Sequence, residues 1–142
     1  MNADLTLPEI ECVRSALLVE DSEDISYLLR HMLEREGFAV HSAFSGRAAE
    51  SYIKASSPTD IVLTDLMLPY IDGFELITRI REHPLWKDVP IIVLSGKATE
   101  RDIVRAFEVG ANDYVTKPYK PLELLARIRR LAVRHEYAEL LV

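Results

Sequence analysis

Three carboxylates, a hydroxyl and an ammonium stand where the apolar runs of this chain stop. Glu20 and Asp21 close "ALLVE", Asp65 follows "IVLT", Ser95 ends "PIIVLS", and Lys117 follows "NDYVT". Each alone has an ordinary explanation. Asp is a frequent turn residue, Glu20–Asp21 suits a helix N-terminus, and a serine or lysine at a strand end is routine. Brought together they describe a reactive pocket. Crowded carboxylates repel, so either one takes up a proton or a cation joins them. With oxygen ligands and room for water the fitting cation is Mg²⁺, which takes one or two carboxylates plus a phosphate oxygen. Asp65 is then a nucleophile for phosphorus, since aspartyl phosphates are established covalent intermediates. Ser95 and Lys117 would hold phosphoryl oxygens, with metal and Lys117 offsetting charge in the transition state.

Such a pocket exists only if the fold collects these positions. Short apolar runs at Ala16–Glu20, Phe38–Ala43, Ile61–Leu63, Pro90–Ser95 and Asn112–Thr116 predict five strands. Between them the apolar spacing becomes helical. Ile25, Leu28, Leu29, Met32 and Leu33 form one face, capped by Asp21 or Ser22 and stopped by Gly37. Ala49, Tyr52 and Ile53 mark a second helix, and Leu76, Ile77 and Ile80 a third over Gly73–His83, with Pro84 beyond its end. Thr99 and Asp102 form an acidic capping box opening a fourth helix with Ile103, Ala106 and Phe107, which Gly110 stops; a fifth starts near Pro121. Strict alternation predicts an α/β fold, a (βα)5 doubly wound parallel sheet. Ligands of such sheets bind beyond the carboxyl ends of the strands, near the switch in strand order. The second strand ends only in His41–Ser42, which predicts an edge position away from the pocket.

Composition narrows the partners. The chain of 142 residues is long enough for one domain with a sizeable core, and its net charge of −6 speaks against a nucleic-acid surface, so no direct nucleic-acid binding is expected. Cys12 is the lone cysteine, which excludes a disulfide framework or a cysteine zinc site and fits a reducing cytoplasm. No apolar run approaches the roughly 20 residues that span a bilayer, so no membrane partner is expected. The acidic opening "MNADLTLPEIE" lacks the apolar stretch of a secretory signal. "SGKATE" has Ala98 where a phosphate-binding loop needs Ser or Thr, and His31, His41, His83 and His135 lie in unrelated elements.

The segments "LLVEDSE", "IVLTDLMLPYIDGFEL", "PIIVLSG" and "GANDYVTKPYKPLELLARI", in this spacing, resemble the receiver domain of two-component response regulators. The likeness runs from Ala16 to about Arg134. It implies a flavodoxin-like sheet of strand order 2-1-3-4-5. It also implies a phosphorylation-activated signalling switch, charged by a histidine kinase or histidine phosphotransfer protein and read by a downstream output protein or fused output domain. Residue by residue, Asp65 resembles the phosphoacceptor and Glu20 and Asp21 the acidic pair, with Asp21 the direct Mg²⁺ ligand. The backbone carbonyl of Met67 would complete the protein ligands of the metal. Ser95 resembles the switch hydroxyl, Tyr114 the switch aromatic, and Lys117 the phosphate-binding lysine, cis to Pro118. A phosphoryl group would draw Ser95 towards it, let Tyr114 swing into the vacated space, and remodel the face of helix four, strand five and helix five. This chain departs from many relatives at Glu20 (often Asp), Tyr70 (often small) and Gly96 (often Ala), while Met67 and Lys97 border the phosphoryl position.

Asp113, Glu123, Arg127 and Arg134 partly resemble the charged face through which some receivers homodimerise, although Ile103 stands where those relatives carry a base. The basic run "ARIRRLAVRH" otherwise suits a helix C-terminus. The expected organisation is a polar leader over 1–14, a receiver domain over 15–134, and a helical extension or start of a linker over 135–142, with Leu131, Ala138 and Leu141 on one stripe. Beyond self-phosphorylation and slow autodephosphorylation, no enzyme is expected. Two alternatives stand beside the switch. One is a phosphatase with Asp65 as turnover nucleophile, which normally carries a second Asp where this chain has Met67. The other is a receiver-like binding module independent of phosphorylation, which the complete set of acids and lysine disfavours.

Overall fold

The computed structural model describes residues 13–96 and 99–132. The chain alternates β1 (Arg14–Val19), α1 (Glu23–Arg35), β2 (Phe38–Ala43), α2 (Gly46–Ala55), β3 (Ile61–Thr64), α3 (Gly73–Glu82), β4 (Ile91–Ser95), α4 (Glu100–Val109), β5 (Asp113–Thr116) and α5 (Pro121–Leu131). The five strands form one parallel sheet in the order β2-β1-β3-β4-β5, so β2 is an edge and β1, β3, β4 and β5 are neighbours. β1 begins two residues earlier than its apolar run, because Arg14 and Ser15 pair with Phe38 and Ala39 through backbone that residue polarity does not report.

Side chains alternate across the sheet and divide the core into two layers. Leu17, Val19, Val62, Ile91 and Val93 face Ala49, Ile53, Leu76, Ile77, Ile80 and Ala106 of α2, α3 and α4. Ala16, Leu18, Ile61, Leu63, Ile92 and Leu94 face Leu29, Leu33, Leu124 and Ile128 of α1 and α5. Local signals set the helix starts. Ser22, not Asp21, caps α1 by accepting the Ile25 N–H at 3.3 Å, and Gly37 beyond its end takes a left-handed φ of +96°. Thr99 caps α4 through the Asp102 N–H at 3.2 Å, and its hydroxyl meets the Asp102 carboxylate at 2.8 Å.

Two helix faces are narrower than their spacing predicts. Leu28 is 66% exposed and Phe107 46%, since each lies on the flank of its helix rather than over the sheet. Conversely, Trp86 reaches the core from the α3–β4 connection, fully buried, and its indole N–H donates to the Ser56 carbonyl at 3.1 Å.

One arginine ties that same end of the fold together. Arg81, near the end of α3, donates to the carbonyls of Lys87 (2.9 Å) and Val89 (2.7 Å), twice to that of Gly110 (3.0 and 2.7 Å), and to Asn112 Oδ1 (2.8 Å). All five guanidinium donors are thus employed. The leader to Cys12, Lys97, and everything beyond Ala132, including Arg134 and the expected continuation of the last helix, lie outside the described residues. Among the described residues no helix is long and apolar enough to cross a membrane.

Candidate functional site

Parallel register decides where the polar residues emerge. Val19 pairs with Thr64, Thr64 with Val93, and Ser95 with Thr116. The residues that follow, Glu20, Asp65 and Lys117, therefore leave the sheet along one edge, beside Ser95. The Lys117 ammonium lies between two acids, donating to Glu20 Oε1 at 2.8 Å and Asp65 Oδ2 at 3.0 Å. Asp65 Oδ1 accepts the N–H groups of Leu66 (2.6 Å) and Met67 (3.2 Å), and Glu20 Oε2 accepts that of Ser22 (3.1 Å). Glu20, Asp65 and Ser95 are buried, while Asp21 opens to solvent.

Oxygens of Glu20, Asp21 and Asp65 lie within 4.8 Å of one another. Three carboxylates against one ammonium leave negative charge in a half-buried pocket, and an all-oxygen donor set of this kind fits a hard divalent cation such as Mg²⁺. Burial pulls the Lys117 ammonium down, but its hydrogen bonds to Glu20 and Asp65 and their charges more than reverse this, leaving it above the ordinary lysine value of 10.5. The bridge's stabilisation is accordingly complete below pH 10.5 and lost as pH climbs through the raised value. Urea midpoints measured from pH 8 upward are expected to show an alkaline decline in the native chain that Lys117→Met lacks.

Ser95 and Tyr114, expected as the switch pair, also meet here. Ser95 shares a side-chain hydrogen bond with Tyr114, whose phenol is held above its ordinary value by burial, against the opposing effect of that bond. The half-buried Tyr114 ring already packs against the core beside α4. The Lys117 N–H donates to the Ser95 carbonyl at 2.9 Å, and the Lys117–Pro118 bond is cis. Met67 contributes its N–H to Asp65 while its side chain faces outward.

Other supports of the site carry no chemical signature. Gly73 opens α3 against the end of β3: its N–H donates to the Leu66 carbonyl at 3.0 Å, and a Cβ there would lie 2.4 Å from the Asp65 carbonyl oxygen. Gly46, at the start of α2, abuts Ile71 of the β3–α3 loop just as closely. A glycine at the first position of a helix is the only sequence hint at either place.

Three residues of the charged face, Asp113, Glu123 and Arg127, contact one another. Within the chain, Arg127 grips Asp113 through two contacts of 3.1 and 2.9 Å and Glu123 at 3.0 Å, with Arg130 3.6 Å from Asp113. These groups are paired internally.

A doubly wound parallel sheet with an acid–lysine pocket at the carboxyl edge of its central strands is a switch-point α/β protein. The response regulator receiver domain family model matches residues 16–129, and the chain belongs to that family. The transcriptional regulatory protein SrrA of Staphylococcus aureus is 42% identical over 118 residues, which is 83% of this chain and 47% of the relative. The chain thus spans about half the length of that curated relative. Among solved structures, a putative response regulator from Chloroflexus aurantiacus is similar at 36% identity and a TM-score of 0.80, covering 85% of this chain and 98% of that one. The receiver domain of the Pseudomonas aeruginosa sensor histidine kinase PA1611, with a magnesium ion in its active-site cleft, matches at 31% identity and 0.77, covering 84% and 97%. The Vibrio cholerae chemotaxis protein CheY4 matches at 28% and 0.79, covering 84% and 99%.

Proposed function

We propose that this chain is a phosphorylation-activated, cytoplasmic signalling switch in which Asp65 takes a phosphoryl group from the phosphohistidine of a histidine kinase or phosphotransfer protein. The observation that carries this reading is the Lys117 ammonium held between Glu20 and Asp65 in a pocket of three carboxylates. In the transfer an Asp65 oxygen bonds to phosphorus as the P–N bond to the donor imidazole breaks, the electron pair staying on nitrogen. Mg²⁺, held by Glu20, Asp21, Asp65 and the Met67 carbonyl, would supply positive charge against the phosphoryl oxygens. The amides of Leu66 and Met67 orient the carboxylate, and the ammonium of Lys117 neutralises charge beside it.

The acyl phosphate adds roughly −1.5 to −2 charge next to the Ser95 hydroxyl. A hydroxyl turned towards a phosphoryl oxygen changes its bond with Tyr114, so the two side chains move as a unit and alter the surface of α4, β5 and α5. That surface would control an output protein or fused output domain; the name of the staphylococcal relative supports an output in transcription. Homodimerisation through Asp113, Glu123, Arg127 and Arg134 would exchange the internal ion pairs of the first three for intermolecular ones.

Incubation with acetyl phosphate and Mg²⁺ is expected to add one phosphoryl group by intact-mass measurement, and none to Asp65→Ala. An unmodified native chain, or equal modification of the variant, overturns the reading.

A further inference from the structure

The loop between β3 and α3 carries the groups that aim Asp65, and its tip is fastened to α2. Its neck is closed by the Gly73–Leu66 hydrogen bond, and Leu66 and Leu68 are buried beneath it. Its tip is Tyr70, the one non-glycine residue with left-handed backbone (φ +67°) among the described residues. Small residues occupy this region with least strain, and a strained position persists only where its surroundings hold it. Yet Tyr70 is 79% exposed, so core burial does not explain it. The Arg47 guanidinium lies over that ring, 4.5 Å from its centroid. One residue earlier, Gly46 seats α2 against Ile71, where an added Cβ would come within 2.1 Å of the carbonyl oxygen.

We propose that Arg47 and Tyr70 form a strap between α2 and the loop and are positioning residues for the phosphoacceptor pocket, acting through the Leu66 and Met67 backbone. This rests on the phosphoacceptor reading. The strap fixes the loop tip, the tip fixes residues 66–68, and the N–H groups of Leu66 and Met67 orient the Asp65 carboxylate. Loss of the stack frees the tip without touching any group that contacts metal or phosphoryl.

The test is calorimetric titration of Mg²⁺ into the native chain and into Arg47→Ala, Tyr70→Gly and Tyr70→Phe, with metal-free melting temperatures as the control on folding. Arg47→Ala and Tyr70→Gly are expected to bind Mg²⁺ roughly two- to fivefold more weakly, while Tyr70→Phe, which keeps a ring under the guanidinium, binds as the native chain does. Native affinity in Arg47→Ala, or equal weakening in Tyr70→Phe and Tyr70→Gly, overturns the strap alone. A native chain that takes up no Mg²⁺ overturns the phosphoacceptor reading and the strap with it.

Discussion

Lys117→Met is expected to slow phosphoryl acceptance from acetyl phosphate by about 10²–10³-fold, the usual cost of removing a charge-stabilising donor. It is also expected to lower stability in urea by about 2 kcal/mol. Methionine keeps the length and apolar stem of the side chain, so the change isolates the ammonium. Without it, Glu20 and Asp65 face each other buried and unneutralised. Loss of one partner from a fully buried pair costs about 3–5 kcal/mol; the smaller figure reflects a Lys117 side chain that is 19% exposed. Divalent cation should restore part of the stability, since it supplies the missing positive charge. A double cycle with Asp65→Asn tests the origin: the two changes together should cost less than their sum. Native stability in Lys117→Met would show that the bridge contributes nothing.

Gly73→Ala is expected to reverse the usual sign of a helix substitution. Alanine inside a helix normally gains up to ~1 kcal/mol over glycine. Here the added Cβ would sit 2.4 Å from the Asp65 carbonyl oxygen and 2.7 Å from the Leu66 Cα, both backbone atoms that yield only if the loop moves. A net loss of about 1–3 kcal/mol follows, as for other overpacked sites. Because the displaced atoms belong to Asp65 and Leu66, phosphoryl acceptance should fall together with stability. Gly96→Ala is the matched control, with nothing within 4 Å of its added Cβ. Its stability should change by less than about 0.5 kcal/mol.

The order of elements was legible because a strand covered on both faces must be apolar along its length, whereas its helices need only one apolar stripe. The pocket was legible for a related reason: in a parallel sheet all strand ends point the same way, so polar residues at four of them share an edge. Contacts between long side chains were not legible. Nothing in the helical pattern of α3 distinguishes Arg79, engaged with Glu50 and Glu75 on the surface, from Arg81, which reaches across to the connection between α4 and β5. Trp86 and the exposed Leu85 are neighbours in a loop, and only tertiary placement sends one inward. The charges of Asp113, Glu123 and Arg127 were visible as a set, but whether they pair within a chain or across two depends on a helix-to-strand distance that residue spacing does not contain.

Two bonds from Arg81 to the Gly110 carbonyl and one to Asn112 fasten the C-terminal end of α4, while Asp102 near its other end acts electrostatically on Tyr114. A rod anchored at one tip has a restricted response to a push at the other. A push at the far end would swing it about Gly110, like a door leaf on its pin. Under the phosphoacceptor proposal, charge arriving at Asp65 would then be read at the surface as a tilt, larger near Glu100 than near Val109.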